Sequence, residues 1–272
     1  MRLTSLFYIL LPLLAPARSS ADVPEDKGLF IAYGKLDPEE IKGYDLLIVE
    51  PQHYTEAAIR DFKKYNKRVL GYLSLTEVHP SSESFQALRP FLIEENVHWG
   101  SRYINISDSN AQQILLQRAA SILEQGFDGL FLDNLDNVSV WGRLTDKKGV
   151  LLQMVQSLNE NHPNAFLAQN SGLFLADELR ERTDAIIMES VVTEYRFDTK
   201  AYGFRKAAEK KRLVAAIKKA VSKGDRPVYL IEYADTAQMR NKVERELQRI
   251  GFPFFIANIS LQDVPQFKKI KR

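Results

Sequence analysis

The sequence predicts an α/β protein, a single-domain (β/α)8 TIM barrel with room for one extra strand. Three observations carry this. Eight short, almost wholly apolar runs recur along the chain, each reading as a strand buried on both faces. Amphipathic, charge-rich stretches separate them, as the crossover helices of a parallel sheet require. The chain has 272 residues, a length that suits one barrel of about 250.

Leu29–Tyr33 is the first strand and Leu46–Glu50 the second. Thr55–Asn66 follows as a helix, with Ala58, Ile59, Phe62 and Tyr65 on one face. Val69–Leu75 is the third strand. Asn110–Gln125 is the next helix: Ile114, Leu115, Ala119, Ile122 and Leu123 make its apolar face, and Asp108 or Ser109 caps its start. The strands Leu130–Asp133, Ala165–Gln169, Ala185–Glu189, Val228–Tyr233 and Phe254–Asn258 complete the set. Helices Val150–Asn161, Leu173–Arg182, Arg205–Lys223 and Thr236–Ile250 alternate with them. Gly126, Gly224 and Gly251 sit just past three helix ends, where a left-handed cap favours glycine. Tyr103–Ser107 reads as a ninth strand, either in the barrel in place of another or beside it.

The first 21 residues stand apart. Arg2 precedes an apolar run, Leu6–Leu14, and Ser19-Ser20-Ala21 offers small residues for cleavage, so 1–21 reads as a secretory signal peptide. The run is shorter than the roughly 20 residues that span a bilayer. No Pro/Gly/Ser-rich linker and no internal repeat divides the rest, so one domain is expected over 22–272. An exported, periplasmic or extracellular protein is expected, with no stable membrane span after cleavage. There is no Cys, hence no disulfide. The net charge of +2 argues against nucleic acid as a partner, and a monomer is expected. The basic end, Lys268 to Arg272, reads as solvated.

In such barrels, chemistry sits at the C-terminal ends of the strands. Reading off those ends gives Tyr33, Glu50, Glu77 just after Gly71–Leu75, Asp133 with Asp136, Gln169-Asn170, Glu189, Glu232-Tyr233 and Asn258. Six of these are acids, and Lys35 alone is basic, so this face should be strongly negative. Any one acid after a strand is as often a helix cap or a solvated loop residue. Six together repel and raise one another's pKa values, a cost kept mainly where cations bind or protons move.

Other chemistries lack their residues. There is no GxSxG, no HExxH, no Cys-based metal spacing and no Gly-rich phosphate loop. His53, His79, His98 and His162 lie off the strand ends. No cofactor is expected. A carboxylate Mg2+ or Ca2+ site at Asp133 and Asp136 is conceivable, but nothing singles it out. Paired carboxylates beside Tyr and Asn suit glycoside hydrolysis, one carboxyl group as acid and the other as nucleophile or base. Tyr33, Tyr72, Tyr195 and Tyr233 either stack on sugars or pack as ordinary aromatics.

The motifs also resemble a known family. In order they are Tyr33-Gly34, Val49-Glu50-Pro51, GYLSLTE (Gly71–Glu77), Trp99-Gly100, GFDGLFLDNLD (Gly126–Asp136), QNSG (Gln169–Gly172) and MES (Met188–Ser190). This series resembles glycoside hydrolase family 114, the endo-α-1,4-polygalactosaminidases, including the hydrolase acting on the Pel polysaccharide. The resemblance implies a barrel that cleaves α-1,4-linked galactosamine or N-acetylgalactosamine polymers, with Asp133 and Glu189 as its carboxylates. A negative face suits such cationic chains. Asp133 is expected as nucleophile and Glu189 as general acid/base. Glu50, Glu77, Asp136 and Glu232 are expected to bind sugar hydroxyls or amines, and Tyr33, Asn134 and Asn170, with Tyr72, Tyr195 and Tyr233, to position substrate. Asp136 alternatively caps the next helix. A non-catalytic glycan-binding barrel using the same acidic cleft is the rival reading.

Overall fold

The structure is a computed structural model and describes residues 27–222, 224 and 226–269. The segment read as a signal peptide lies outside these residues, as do the last three of the basic end. Among the described residues no helix is long and apolar enough to cross a membrane.

Eight strands form one parallel sheet in sequence order: β1 (Lys27–Ala32), β2 (Tyr44–Val49), β3 (Val69–Ser74), β4 (Gly129–Asp133), β5 (Phe166–Asn170), β6 (Ala185–Glu189), β7 (Val228–Tyr233) and β8 (Phe254–Ala257). The sheet curls into a nearly closed barrel. β1 and β8 meet without a regular ladder: Tyr33 N–H donates to Leu261 O at 2.6 Å, and the Phe30 and Phe255 rings lie 4.8 Å apart.

Strand geometry sends alternate side chains to opposite faces. Leu29, Ile31, Leu46, Ile48, Leu70, Phe131, Ala168, Ile187 and Ile231 pack together as one buried cluster inside the barrel. Their neighbours, among them Phe30, Leu47, Leu130, Leu132 and Leu167, face the surrounding helices. Those helices are α1 (Glu56–Tyr65), α2 (Phe85–Leu88), α3 (Ser109–Glu124), α4 (Lys148–Asn161), α5 (Ala207–Val221) and α6 (Ala237–Ile250). Thr55 and Asp108 cap α1 and α3 through their side chains. Gly126 and Gly251 take left-handed backbone, φ 99° and 86°, just past α3 and at the end of α6.

Two expectations change. Leu173–Arg182 is not a helix: it is a 3-10 turn, Leu173–Leu175, followed by irregular turns. One carbonyl that a helix would pair internally, Ala176 O, is taken from outside it, while Leu179 O keeps its bond from Thr183 N–H. Arg226 donates to Ala176 O and to Leu179 O, and Thr183 Oγ1 also donates to Leu179 O. The apolar periodicity there served packing against β6 and β7, where Ala176 is buried. The ninth strand lies beside the barrel as Ser101–Ile104, the centre of a three-stranded antiparallel sheet with Glu77–Val78 and Leu92–Asn96. A hairpin the sequence reading lacked, Thr193–Arg196 with Ala201–Phe204, rises after β6.

The β1–β8 seam depends on Gly34. A Cβ there would lie 2.0 Å from the backbone oxygen of Gln262. Gly34→Ala should therefore force the seam apart and destabilise the fold by about 1–3 kcal/mol in a denaturant titration.

Candidate active site

The alternation that fills the barrel also selects which side chains crown it. Continuing each inward row upward gives Tyr33, Glu50, Tyr72, Asp133, Asn170, Glu189 and Tyr233 at the mouth. Three adjacent strands then end in the same way. Asn134, Ser171 and Ser190 directly follow Asp133, Asn170 and Glu189, and all three are non-glycine residues with left-handed backbone, φ 61°, 52° and 55°. Such a residue costs energy and persists where surrounding contacts hold it. Here it turns the chain out of the barrel immediately after the inward side chain.

Asn170 joins the two expected catalytic acids. Its Nδ2 donates to Asp133 Oδ1 at 2.7 Å and to Glu189 Oε1 at 2.6 Å, so these oxygens stand no more than 5.3 Å apart. The other oxygen of each acid is held by a phenol: Tyr72 donates to Asp133 Oδ2 at 2.8 Å, and Tyr233 donates to Glu189 Oε2. Tyr33 packs edge-on against Tyr72, ring centroids 4.8 Å apart. Asn170 Oδ1 is buried without a partner among the described residues. The amide spends both its protons on the acids and leaves its acceptor unpaired, because turning it over would face oxygen to oxygen.

Burial and mutual repulsion push these groups toward their neutral forms. Glu189 rises to about 7, chiefly through burial and then through the charge of Asp133, against the hydrogen bonds from Tyr233 and Asn170. Burial also raises Asp133, opposed by Asn170 and Tyr72. Glu50 rises to about 7 through burial, which the nearby Arg118 guanidinium opposes. Burial raises Asp136 too, with the Asp133 charge second, although part of its side chain is open to solvent. Burial and these carboxylates raise the Tyr33, Tyr72 and Tyr233 phenols well above their usual range. Among the described residues, no Lys or Arg forms an ion pair with any of the four acids. Nor does any group of three His, Asp or Glu among them form a metal-holding cluster.

The model of the family described as Glycoside-hydrolase family GH114 matches residues 14–271. The chain belongs to glycoside hydrolase family 114. It is a glycoside hydrolase. The solved glycoside hydrolase domain of PelA from Pseudomonas aeruginosa is similar at 21% identity and a TM-score of 0.77, covering 91% of this chain and 100% of that one. Ega3 of Aspergillus fumigatus, solved in complex with galactosamine, is similar at 16% identity and a TM-score of 0.70, covering 89% and 94%. An α-amylase of Geobacillus thermoleovorans, complexed with acarbose, shares 10% identity at a TM-score of 0.51, covering 82% and 64%. At these identities the likeness is one of fold. No curated protein matches the chain significantly.

Within this family 114 barrel, two of the expected sugar-binding acids are engaged elsewhere. Glu232 is fully buried and accepts from the backbone N–H groups of Val191, Val192 and Thr193 and from Thr193 Oγ1, at 2.6–2.8 Å. Its row is the outward one, opposite to Ile231 and Tyr233, so it anchors the loop after β6 rather than facing the mouth. Glu77 is 5% exposed and accepts from Asn96, Ser101 and Asn137, pinning the three-stranded sheet to the turn after β4. Asn134 gives its amide to Ser74 Oγ at 2.8 Å. Asp136 caps nothing: Asn134 holds the N-cap position of the 3-10 turn Leu135–Val138 without a side-chain bond. Tyr195 lies on the hairpin, packed between Phe197 and Tyr202, away from the acid pair's hydrogen bonds. Phe197 also meets His98 and Trp99, both at 5.0 Å, so the two insertions touch at their tips. Trp141 stands 94% exposed beside Asp136. Neither Phe197 nor Trp141 was singled out from the sequence; their signal would have been large aromatics in loops after β4 and β6.

Structural and mouth acids should separate by stability. Glu232→Ala strands three buried N–H groups and should cost at least about 3 kcal/mol. Asp136→Ala should leave the melting temperature nearly unchanged. Thermal unfolding of both variants at neutral pH checks the contrast.

Proposed function

We propose that this hydrolase cleaves an α-1,4-linked galactosamine-type polysaccharide outside the cytoplasm, with Asp133 as nucleophile, Glu189 as general acid/base, and retention at the anomeric carbon. The observation that carries the reading is the single Asn170 amide bonded to both carboxylates. It brings their nearer oxygens to no more than 5.3 Å apart, a closeness that favours a retaining pair, whose carboxyl groups stand about 5–5.5 Å apart, over an inverting one at roughly 6.5–9.5 Å. Their environments set the roles. Glu189, at about 7, keeps a proton to give near neutral pH, whereas the Asn170 and Tyr72 hydrogen bonds favour the ionised form of Asp133 against the burial that raises it.

In the first step Asp133 attacks the anomeric carbon while Glu189 gives its proton to the departing glycosidic oxygen. In the second, Glu189 takes a proton from water, which displaces Asp133 and restores the starting face. The substrate class rests on family membership, on galactosamine in the Ega3 complex, and on four mouth carboxylates that lack a paired cation among the described residues. Amines protonated along a polymer complement such a mouth. Export is supported by the signal-like start of the sequence.

The test uses partly deacetylated α-1,4-galactosaminan. Asp133→Ala and Glu189→Ala should each lower kcat by about 10²–10⁴ or more, measured as new reducing ends. Proton NMR of the first product should show the α anomer; a β anomer would overturn the retaining assignment. A wild type that binds the polymer without cutting it would favour a glycan-binding role at this site.

The pH profile follows from Glu189. Its acid form is consumed as pH rises through about 7, so kcat should fall there. Tyr233 stabilises the charged form, so Tyr233→Phe should move this alkaline limb up by about one pH unit.

A further inference from the structure

The charge of the chain is sharply divided along its length. Residues 199–272 hold 18 Lys or Arg and 7 Asp or Glu, while residues 1–198 hold 19 and 28. Much of the basic excess lies on α5 and α6, on the outside of the barrel. There it converges on a cavity of about 380 Å3 between the hairpin's second strand and the two helices. Arg205, Lys210, Lys242, Arg245 and Arg249 line it, and Glu246 is the one acid in the lining.

The ion pairs leave this cavity positive. Glu246 is shared by Lys210 at 2.6 Å and Arg249 at 2.9 Å, and Arg205 lies 3.7 Å from Glu209. Lys242 and Arg245 have no ion-pair partner among the described residues. The start of α5 faces the same space, since Ala207, its first residue, is in the lining. The N-terminus of a helix carries partial positive charge and free N–H groups, and sequences normally meet it with an acceptor such as Ser, Asp or Asn. Here the N-cap is Lys206, which forms no side-chain cap, and Arg205 precedes it. Two cations at a positive helix end are unfavourable unless an anion joins them. Glu209, in the first turn of α5, compensates Arg205 in part, while Lys242 and Arg245 stay without an ion-pair partner among the described residues. Phe204, 44% exposed, adds an apolar face to the rim.

We infer that this cavity binds a phosphate group, carried by a soluble ligand or by a lipid headgroup. Phosphate takes several charged donors at once and accepts readily at a helix N-terminus. The site is a concave pocket, which suits a headgroup or small molecule. It stands apart from the acid pair: the carboxylates of the mouth would repel the ligand this pocket attracts. Its wall still touches the loop behind Glu189, because Arg205 Nε donates to Ser190 O at 2.9 Å.

Two titrations of the full chain test this at physiological ionic strength. In the first, inorganic pyrophosphate should bind wild type saturably at one site by calorimetry. Lys242→Ala/Arg245→Ala should weaken this at least about tenfold. Both residues are exposed, and unchanged thermal unfolding will show that the variant folds. Lys218→Ala/Lys219→Ala removes as much charge from α5 outside the cavity and should leave binding intact. In the second, vesicles of phosphatidylglycerol are compared with phosphatidylcholine. Retention on the anionic vesicles that the Lys242/Arg245 variant loses identifies a headgroup; pyrophosphate binding alone identifies a soluble ligand. The inference is overturned if wild type binds neither probe, or if both double variants weaken binding equally. None of these readouts depends on the polysaccharide assay.

Discussion

Two carboxylates can share a barrel mouth only if donors hold the charge that water reaches only in part. Asn170 does this here with one nitrogen, and Tyr72 and Tyr233 take the outer oxygens. Without those neutral donors, burial and repulsion would drive both acids to their protonated forms, and no nucleophile would remain. Charged donors would have quenched them instead. The neutral set serves the two acids alike, one shared amide and one phenol each, and leaves both without a compensating cation among the described residues.

The site carries a cost in stability, and its sign is fixed. Glu50 and Glu189 titrate near 7 in the folded protein against an ordinary 4.5. The folded state holds their protons more tightly than the unfolded chain does. Stability from these two groups is therefore full below about 4.5 and lost as pH rises through about 7. The tightly filled barrel interior and the shell of helices offset this. Glu232, its carboxylate buried, ties down the backbone of Val191, Val192 and Thr193 just after β6.

The two insertions shape what the mouth meets. Glu77 ties the three-stranded sheet to the turn after β4, and Glu232 ties down the foot of the hairpin after β6. Each acid thus sits beneath one wall, and the walls meet through Trp99 and Phe197. The acidic concentration at the mouth and the basic concentration on α5 and α6 leave a nearly neutral protein with two oppositely charged faces.

Much was legible in the sequence. The eight apolar runs fixed the barrel, because strands buried on both faces admit few polar residues. GFDGLFLDNLD placed Asp133 at the end of one strand, and MES placed Glu189 at the end of another. Strict alternation, applied to Ile231, Glu232 and Tyr233, would also have turned Glu232 outward from the site. Other features were beyond any local pattern. Leu173–Arg182 has helical spacing, yet Arg226, more than 40 residues on, takes the carbonyl of Ala176. Glu77 follows a strand like a mouth acid, yet Asn96, Ser101 and Asn137 claim it from two other segments. The sequence by itself determined which residues are buried, charged or strand-terminal, since those follow from composition and period. Only the tertiary structure decided which acids remain free for chemistry, because a carboxylate's role is set by the donors that distant segments bring to it.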